Sequence, residues 1–171
     1  MSGLPRWFMV IVWAIFLPAV YAAFPYYLSL SAGYHGWIVG RPGLPNDLGL
    51  IGLIVGASIV GWVMLEHFRN IPREGARLGN PFQGPGYVLT KGPYGFCRHP
   101  MHLGTLSIWF GWALFYGSSA VLIGAVIILV AVITLVPSEE RGMLAQIGEP
   151  YRRYMEEVSR WGFGRRASHR R

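Results

Sequence analysis

Long uncharged runs separated by short charged clusters set the pattern of this chain. Trp7 to Leu30 is twenty-four residues without a charge. At about 1.5 Å per residue such a helix reaches about 36 Å, enough to cross a bilayer with some tilt. Pro18 and Pro25 are expected to kink it or end it early. Arg6 and Val20-Tyr21-Ala22 resemble the flanks of a cleaved leader, but the apolar run continues to Leu30, so the segment reads as a membrane helix. A second run, Leu48 to Leu65, is closed by Glu66, His67 and Arg69. Its Gly49, Gly52, Gly56 and Gly61, with Ala57 and Ser58, let another helix approach closely. From Leu103 to Pro137 no charge occurs. That is too long for one helix, and Gly117-Ser118-Ser119 divides it into a tight hairpin, Leu103–Tyr116 and Ala120–Val136. The first arm is short unless it begins near Pro100. Both arms must be helical, because hydrocarbon offers backbone groups no water.

The predicted fold class is therefore all-α: a polytopic membrane protein with about four transmembrane helices, the last two a tight hairpin, and a cytosolic C-terminal amphipathic helix. Tyr151, Tyr154 and Val158 carry the spacing of that last helix, expected to lie on the membrane. Residues 1–171 read as a single membrane domain. A further embedded piece within Gly75–Lys91, or a first segment split at its prolines, is the alternative to a count of four.

Composition strengthens this picture. The chain is 53% hydrophobic and 13% charged, with a mean hydropathy of +0.37, where soluble domains carry about 25% charge. Disorder and an ordinary soluble enzyme are excluded. The net charge of +7 fits nucleic acid or an anionic membrane surface, and its distribution selects the membrane. The N-terminus, the second loop and the tail after Pro137 hold fourteen of the fifteen basic residues; the first loop holds Arg41 alone. The positive-inside rule puts both termini in the cytosol, with no nucleic-acid partner. Oligomeric state is not legible.

Reactive side chains concentrate in two cytosolic segments, 84–104 and 138–161, which flank the hairpin. The first, rich in Gly and Pro, reads as a loop with a turn at Lys91-Gly92-Pro93-Tyr94. Arg98-His99-Pro100 then leads into the third helix, where Pro100 suits the first turn. Arg98, His99 and His102 at a helix start fit a small ligand with an anionic group. They fit equally well a set of headgroup-level cations that bind phosphate non-specifically. In the second segment Glu139-Glu140 sits just outside the fourth helix. Adjacent helical residues point about 100° apart, so only one of the pair is expected to face inward and hold a cationic group. Glu156 and Glu157 read as a solvated face. Cys97 reads as a structural thiol. His35, His67 and His169 are isolated and no spacing resembles a metal site. No P-loop or dinucleotide fingerprint occurs.

Three motifs then stand in one order: Val88-Leu89-Thr90, Gly92-Pro93-Tyr94, and Arg98-His99-Pro100-Met101-His102-Leu103-Gly104. They are followed by Glu139-Glu140, Ile147-Gly148, Tyr151-Arg152-Arg153-Tyr154 and Val158-Ser159. Over residues 84–161 this resembles the signature of the integral-membrane methyltransferases, the isoprenylcysteine carboxyl methyltransferase and phospholipid N-methyltransferase group. The resemblance implies S-adenosylmethionine as methyl donor and a lipid or lipid-like acceptor at the cytosolic face. By position, Tyr87, Val88, Leu89, Tyr94, His99, Pro100, Met101, His102 and Glu139 would bind the cofactor. Glu140 and Arg98 would be the catalytic residues, with Glu140 removing a proton from an amine acceptor, and no metal is implied. His102 stands where the family usually has Tyr, and Ser159 where it has Pro. Leu135 stands where isoprenylcysteine enzymes have an Arg that reaches the substrate carboxylate, which turns the reading towards an amine on a lipid headgroup. Two other readings remain: a sterol-type NADPH-dependent membrane reductase, whose Asp-Glu and Cys before Lys-Tyr-Gly are missing from Met143–Tyr151, and a catalytically inactive membrane subunit.

Overall fold

The computed structural model describes residues 6–31, 37, 41–70 and 88–162. Among them every regular element is helical. In chain order these are α1 (Arg6–Pro18), a π turn (Ala19–Ala23), α2 (Phe24–Ser31), α3 (Leu44–Asn70), a 3-10 turn (Gly92–Gly95), α4 (Pro100–Tyr116), α5 (Ser119–Ile147) and α6 (Glu149–Glu157). Three helical stretches are long and apolar enough to cross a membrane: Val10–Ser31, Leu44–Asn70 and Ser119–Ile147. Helix α4 has 17 residues, about 25 Å, and starts at Pro100 as the longer version of the hairpin arm requires. The Gly75–Lys91 alternative falls largely outside the described residues.

Neither proline ends the first span. Between them the backbone widens into the π turn, where the Phe24 N–H bonds the Ala19 carbonyl five residues back. Pro25 cannot donate to the Tyr21 carbonyl, which would lie unsatisfied in an apolar layer. The indole Nε1 of Trp112 donates to that carbonyl instead.

The chain packs as two compact units. One comprises Met1–Met9, Gly61–Pro100 and Val132–Arg171, the other Val10–Val60 and Met101–Ala131. In the second unit, small residues bring α3 and α4 together. A Cβ on Gly56 would sit 2.7 Å from the Gly104 carbonyl oxygen, and one on Gly49 2.6 Å from that of Gly111. No side chain fits there. Gly52 lies on the same seam, where its carbonyl accepts from Ser107 Oγ at 2.8 Å. Gly61, by contrast, meets nothing within 4 Å, and Ala57 and Ser58 are exposed. Trp109, Ala113, Val121 and Ala125 form the buried core, with Tyr21 and Leu28 packed against it. The hairpin turns at Gly117-Ser118. Gly117 N–H bonds the Leu114 carbonyl and Ser118 N–H the Ala113 carbonyl, the two bonds that close a helix over a left-handed residue.

In the first unit α5 departs from expectation. The sequence predicts a helix end at Val136, with the two glutamates beyond it. The helix instead runs through Pro137 to Ile147, so Glu139 and Glu140 are helical. A proline deletes one N–H and crowds only the preceding turn, which is not enough to stop a long helix. The stop comes at Gly148, whose φ of +74° a side chain would resist. Helix α6 follows, with Tyr151 and Tyr154 buried and Arg152, Arg153, Glu156 and Glu157 exposed. Its apolar face is covered from within the unit by Met143, Val158 and Val88.

The seam predicts opposite outcomes for one small substitution. Gly56→Ala forces α3 and α4 apart and costs about 1–3 kcal/mol. Gly61→Ala is neutral or stabilising by up to about 1 kcal/mol. Thermal unfolding in detergent measures both, and a Gly56→Ala protein as stable as wild type would contradict the packing described.

Candidate functional site

The first unit contains the chemistry-bearing side chains, and its loop and tail are tied together before any charge is considered. Arg98 N–H donates to the Ser159 carbonyl at 3.1 Å, and Cys97 Sγ donates to the Arg160 carbonyl at 3.1 Å. From α6 the Tyr154 hydroxyl donates to the Tyr94 carbonyl at 2.8 Å. The 3-10 turn at Gly92–Gly95 is thus held down on α6, and the segment after it runs alongside the chain that leaves α6.

This arrangement surrounds Glu140, which is only 3% exposed. Its Oε1 lies 3.0 Å from His99 Nε2 and 3.3 Å from Arg98 Nη1. Its Oε2 accepts from Arg160 Nε at 3.1 Å and from Nη2 of the same guanidinium. A buried carboxylate survives only if matched in this way. Glu139, one residue earlier, is the more exposed of the two, and its Oε2 lies 3.8 Å from His99 Nδ1. The His99 ring therefore stands between the two carboxylates, with Trp161 packed on it at 5.6 Å between ring centres.

The sequence-predicted residues sort as follows. Arg98, His99, Glu139 and Glu140 come together in the first unit. Tyr94 is present there through its backbone bond to Tyr154, and Val88 through packing against the Tyr151 and Tyr154 cluster. Leu89 is half-buried in the same loop and Pro100 is buried at the start of α4. Met101 and His102 follow on the first turn of α4 and belong to the second unit. Tyr87 lies outside the described residues. Arg160 and Trp161 were missed by sequence reasoning. Only their position inside segment 138–161 pointed to them, because no spacing rule links Arg160 to a glutamate twenty residues earlier.

Electrostatics separates holding groups from reactive ones. Burial, and then the Glu140 carboxylate, pushes the Tyr151 phenol up to about 12, and burial likewise raises Tyr154. Both phenols stay neutral, and that of Tyr154 donates to the Tyr94 carbonyl. Burial raises the Cys97 thiol, and the residue is 1% exposed, so it is a structural group rather than a nucleophile. The hydrogen bond to Glu140 raises Arg160 further above its usual value. Arg98 is the informative exception. Its side chain is 7% exposed, yet Nε and Nη1 lack hydrogen-bond acceptors among the described residues. The ion pair with Glu140 supplies charge balance but leaves those donors to a further acceptor.

Comparison with known proteins places these residues in a lineage. Residues 48–149 match the family model described as phospholipid methyltransferase, a span that takes in Arg98, His99, Glu139 and Glu140. No curated protein and no solved structure matches the chain at a significant level.

The cluster predicts a sharp contrast between two glutamates. Glu140→Gln leaves the buried Arg98 charge unmatched and costs about 3–5 kcal/mol. Glu149→Gln removes partners of the exposed Arg152 and Arg153, each at 3.5 Å, and costs less than about 1 kcal/mol. Chemical unfolding of the two variants in detergent reads the difference, and equal losses would contradict the assignment.

Proposed function

Because the chain belongs to the phospholipid methyltransferase family, matched over residues 48–149, we propose that it transfers a methyl group from S-adenosylmethionine to a lipid or lipid-like acceptor at the cytosolic membrane face. The observation that carries this reading is the Arg98–His99–Glu139–Glu140 cluster inside the matched span. Four crossings, with both termini in the cytosol, accompany it: three long apolar helices and the shorter α4 as the remaining arm of the hairpin. The basic residues then fall on the cytosolic side.

The residues fit the donor. S-Adenosylmethionine, when bound, presents a carboxylate, an ammonium and a sulfonium methyl that leaves by in-line displacement. Arg98 offers buried donors without acceptors, which suit a carboxylate. Glu139, partly exposed beside His99, suits a cationic group. Val88, Leu89 and Tyr94 supply apolar and aromatic surface, with Tyr87, Pro100, Met101 and His102 assigned to the same role from the motif.

Glu140 is better suited to positioning than to taking a proton. Its Oε1 already bonds His99 and pairs with Arg98, and its Oε2 accepts from Arg160, so its part is to hold Arg98 and His99 in place. Positioning and exclusion of water are what a displacement of this kind requires. Leu135, apolar and exposed on α5, offers nothing to an acceptor carboxylate. This supports an amine acceptor on a lipid headgroup over a prenylcysteine.

Calorimetry on the detergent-purified protein tests the reading. S-Adenosylmethionine should bind, and Glu139→Ala and His99→Ala should each weaken it by about tenfold or more. Absent binding to the wild type, or binding of NADPH in its place, would overturn it.

A further inference from the structure

Beside the Glu140 cluster, within the same unit, lies a groove of about 340 Å³ lined by Pro137, Glu140, Arg141, Leu144, Met155 and Arg160. The methyl-transfer reading makes no use of its outer wall. We propose that this groove binds the headgroup of an anionic phospholipid, with Arg141 and Arg160 on the phosphate and Pro137, Leu144 and Met155 against the apolar portion next to it.

Charge and position carry the inference. Glu140, the one acid in the lining, is already matched by Arg98 and Arg160 and has no charge left for Arg141. Arg141 is exposed, and among the described residues it forms no ion pair. Its Nε donates to the Pro137 carbonyl at 3.3 Å, which lays the side chain along the groove wall and leaves its two terminal nitrogens to a ligand. Arg160 spends Nε and Nη2 on Glu140, leaving Nη1 to a second acceptor. Two guanidiniums with free donors at one groove suit a phosphate. The apolar half of the lining favours a lipid over a free anion. Pro137 ends the charge-free run of a helix long enough to span the bilayer, so lipid headgroups are the anions nearest to it. The other basic pair nearby differs in kind: Arg152 and Arg153 are more than 60% exposed and both pair with Glu149.

The test reads thermal stability, so it does not depend on methyl transfer. Purified protein in a neutral detergent is titrated with dihexanoyl phosphatidylglycerol, dihexanoyl phosphatidylcholine and glycerol phosphate. The proposal predicts a saturable rise in melting temperature with phosphatidylglycerol that the other two do not reproduce. Arg141→Gln should weaken that response about fivefold or more, while an Arg152→Gln/Arg153→Gln protein keeps it. Equal responses to phosphatidylglycerol and phosphatidylcholine would overturn the proposal, as would an equal response to glycerol phosphate, which marks a soluble-anion site. A loss in the Arg152/Arg153 variant as large as in Arg141→Gln would reduce the groove to generic surface charge and overturn it as well. Arg141→Lys, which keeps the charge but loses the fork, should fall between wild type and Arg141→Gln.

Discussion

A single buried carboxylate organises the charged half of this protein. Glu140 takes Arg98 and His99 from the loop before α4 and Arg160 from the chain after α6. Neither segment has regular structure of its own at those residues, so their relative placement rests on few constraints. Backbone and thiol bonds at Arg98–Ser159 and Cys97–Arg160 align the two strands of chain, and Tyr154 holds the turn at Tyr94. Without a charge at position 140, Arg98 and Arg160 would lose the carboxylate they share. Buried ion clusters are often no better for stability than apolar packing. Their retention here fits a demand for one arrangement of Arg98 and His99, which is what a binding site needs.

The second unit obeys a different constraint. Its helices associate through what they lack. Glycines at positions 49, 52 and 56 admit the α4 backbone, and the few polar bonds repair defects left by that packing or by proline. Trp112 on Tyr21 and Ser107 on Gly52 are of this kind. In hydrocarbon, with little apolar driving force between helices, close contact and satisfied carbonyls are what remain. The chain thus separates its two kinds of stabilisation: shape in one unit, charge in the other.

Much of this was legible from residues alone. The Gly117-Ser118-Ser119 break, the start of α4 at Pro100, three of the four seam glycines and the buried pair Tyr151 and Tyr154 follow from local rules that the fold obeys. Two kinds of feature were not. Pro18 and Pro25 were expected to kink the first span or end it early, and Pro137 to stop its helix; the first span continues past both prolines through a π turn, and α5 runs straight through Pro137. In the first span a π turn and a distant indole absorb the defect, and a distant indole cannot be foreseen from a window of neighbours. The other is Arg160, whose partner lies twenty residues away across a turn set by Gly148. Motif order pointed to Arg98, His99, Glu139 and Glu140 as one site. It did not indicate that Glu140 would lie against Arg98, His99 and Arg160 at once, the contacts behind the positioning role proposed for it.

That organising role is the central claim, and a double-mutant cycle measures it most directly. Arg98→Met, Glu140→Met and the double variant are unfolded chemically in the same detergent, and the coupling between the two positions is taken from the difference. The account predicts that the double variant is less damaged than the sum of the singles, by about 1–3 kcal/mol, because removing both charges leaves neither unmatched. Additive losses would mean that Arg98 and Glu140 do not depend on each other, and would contradict the account.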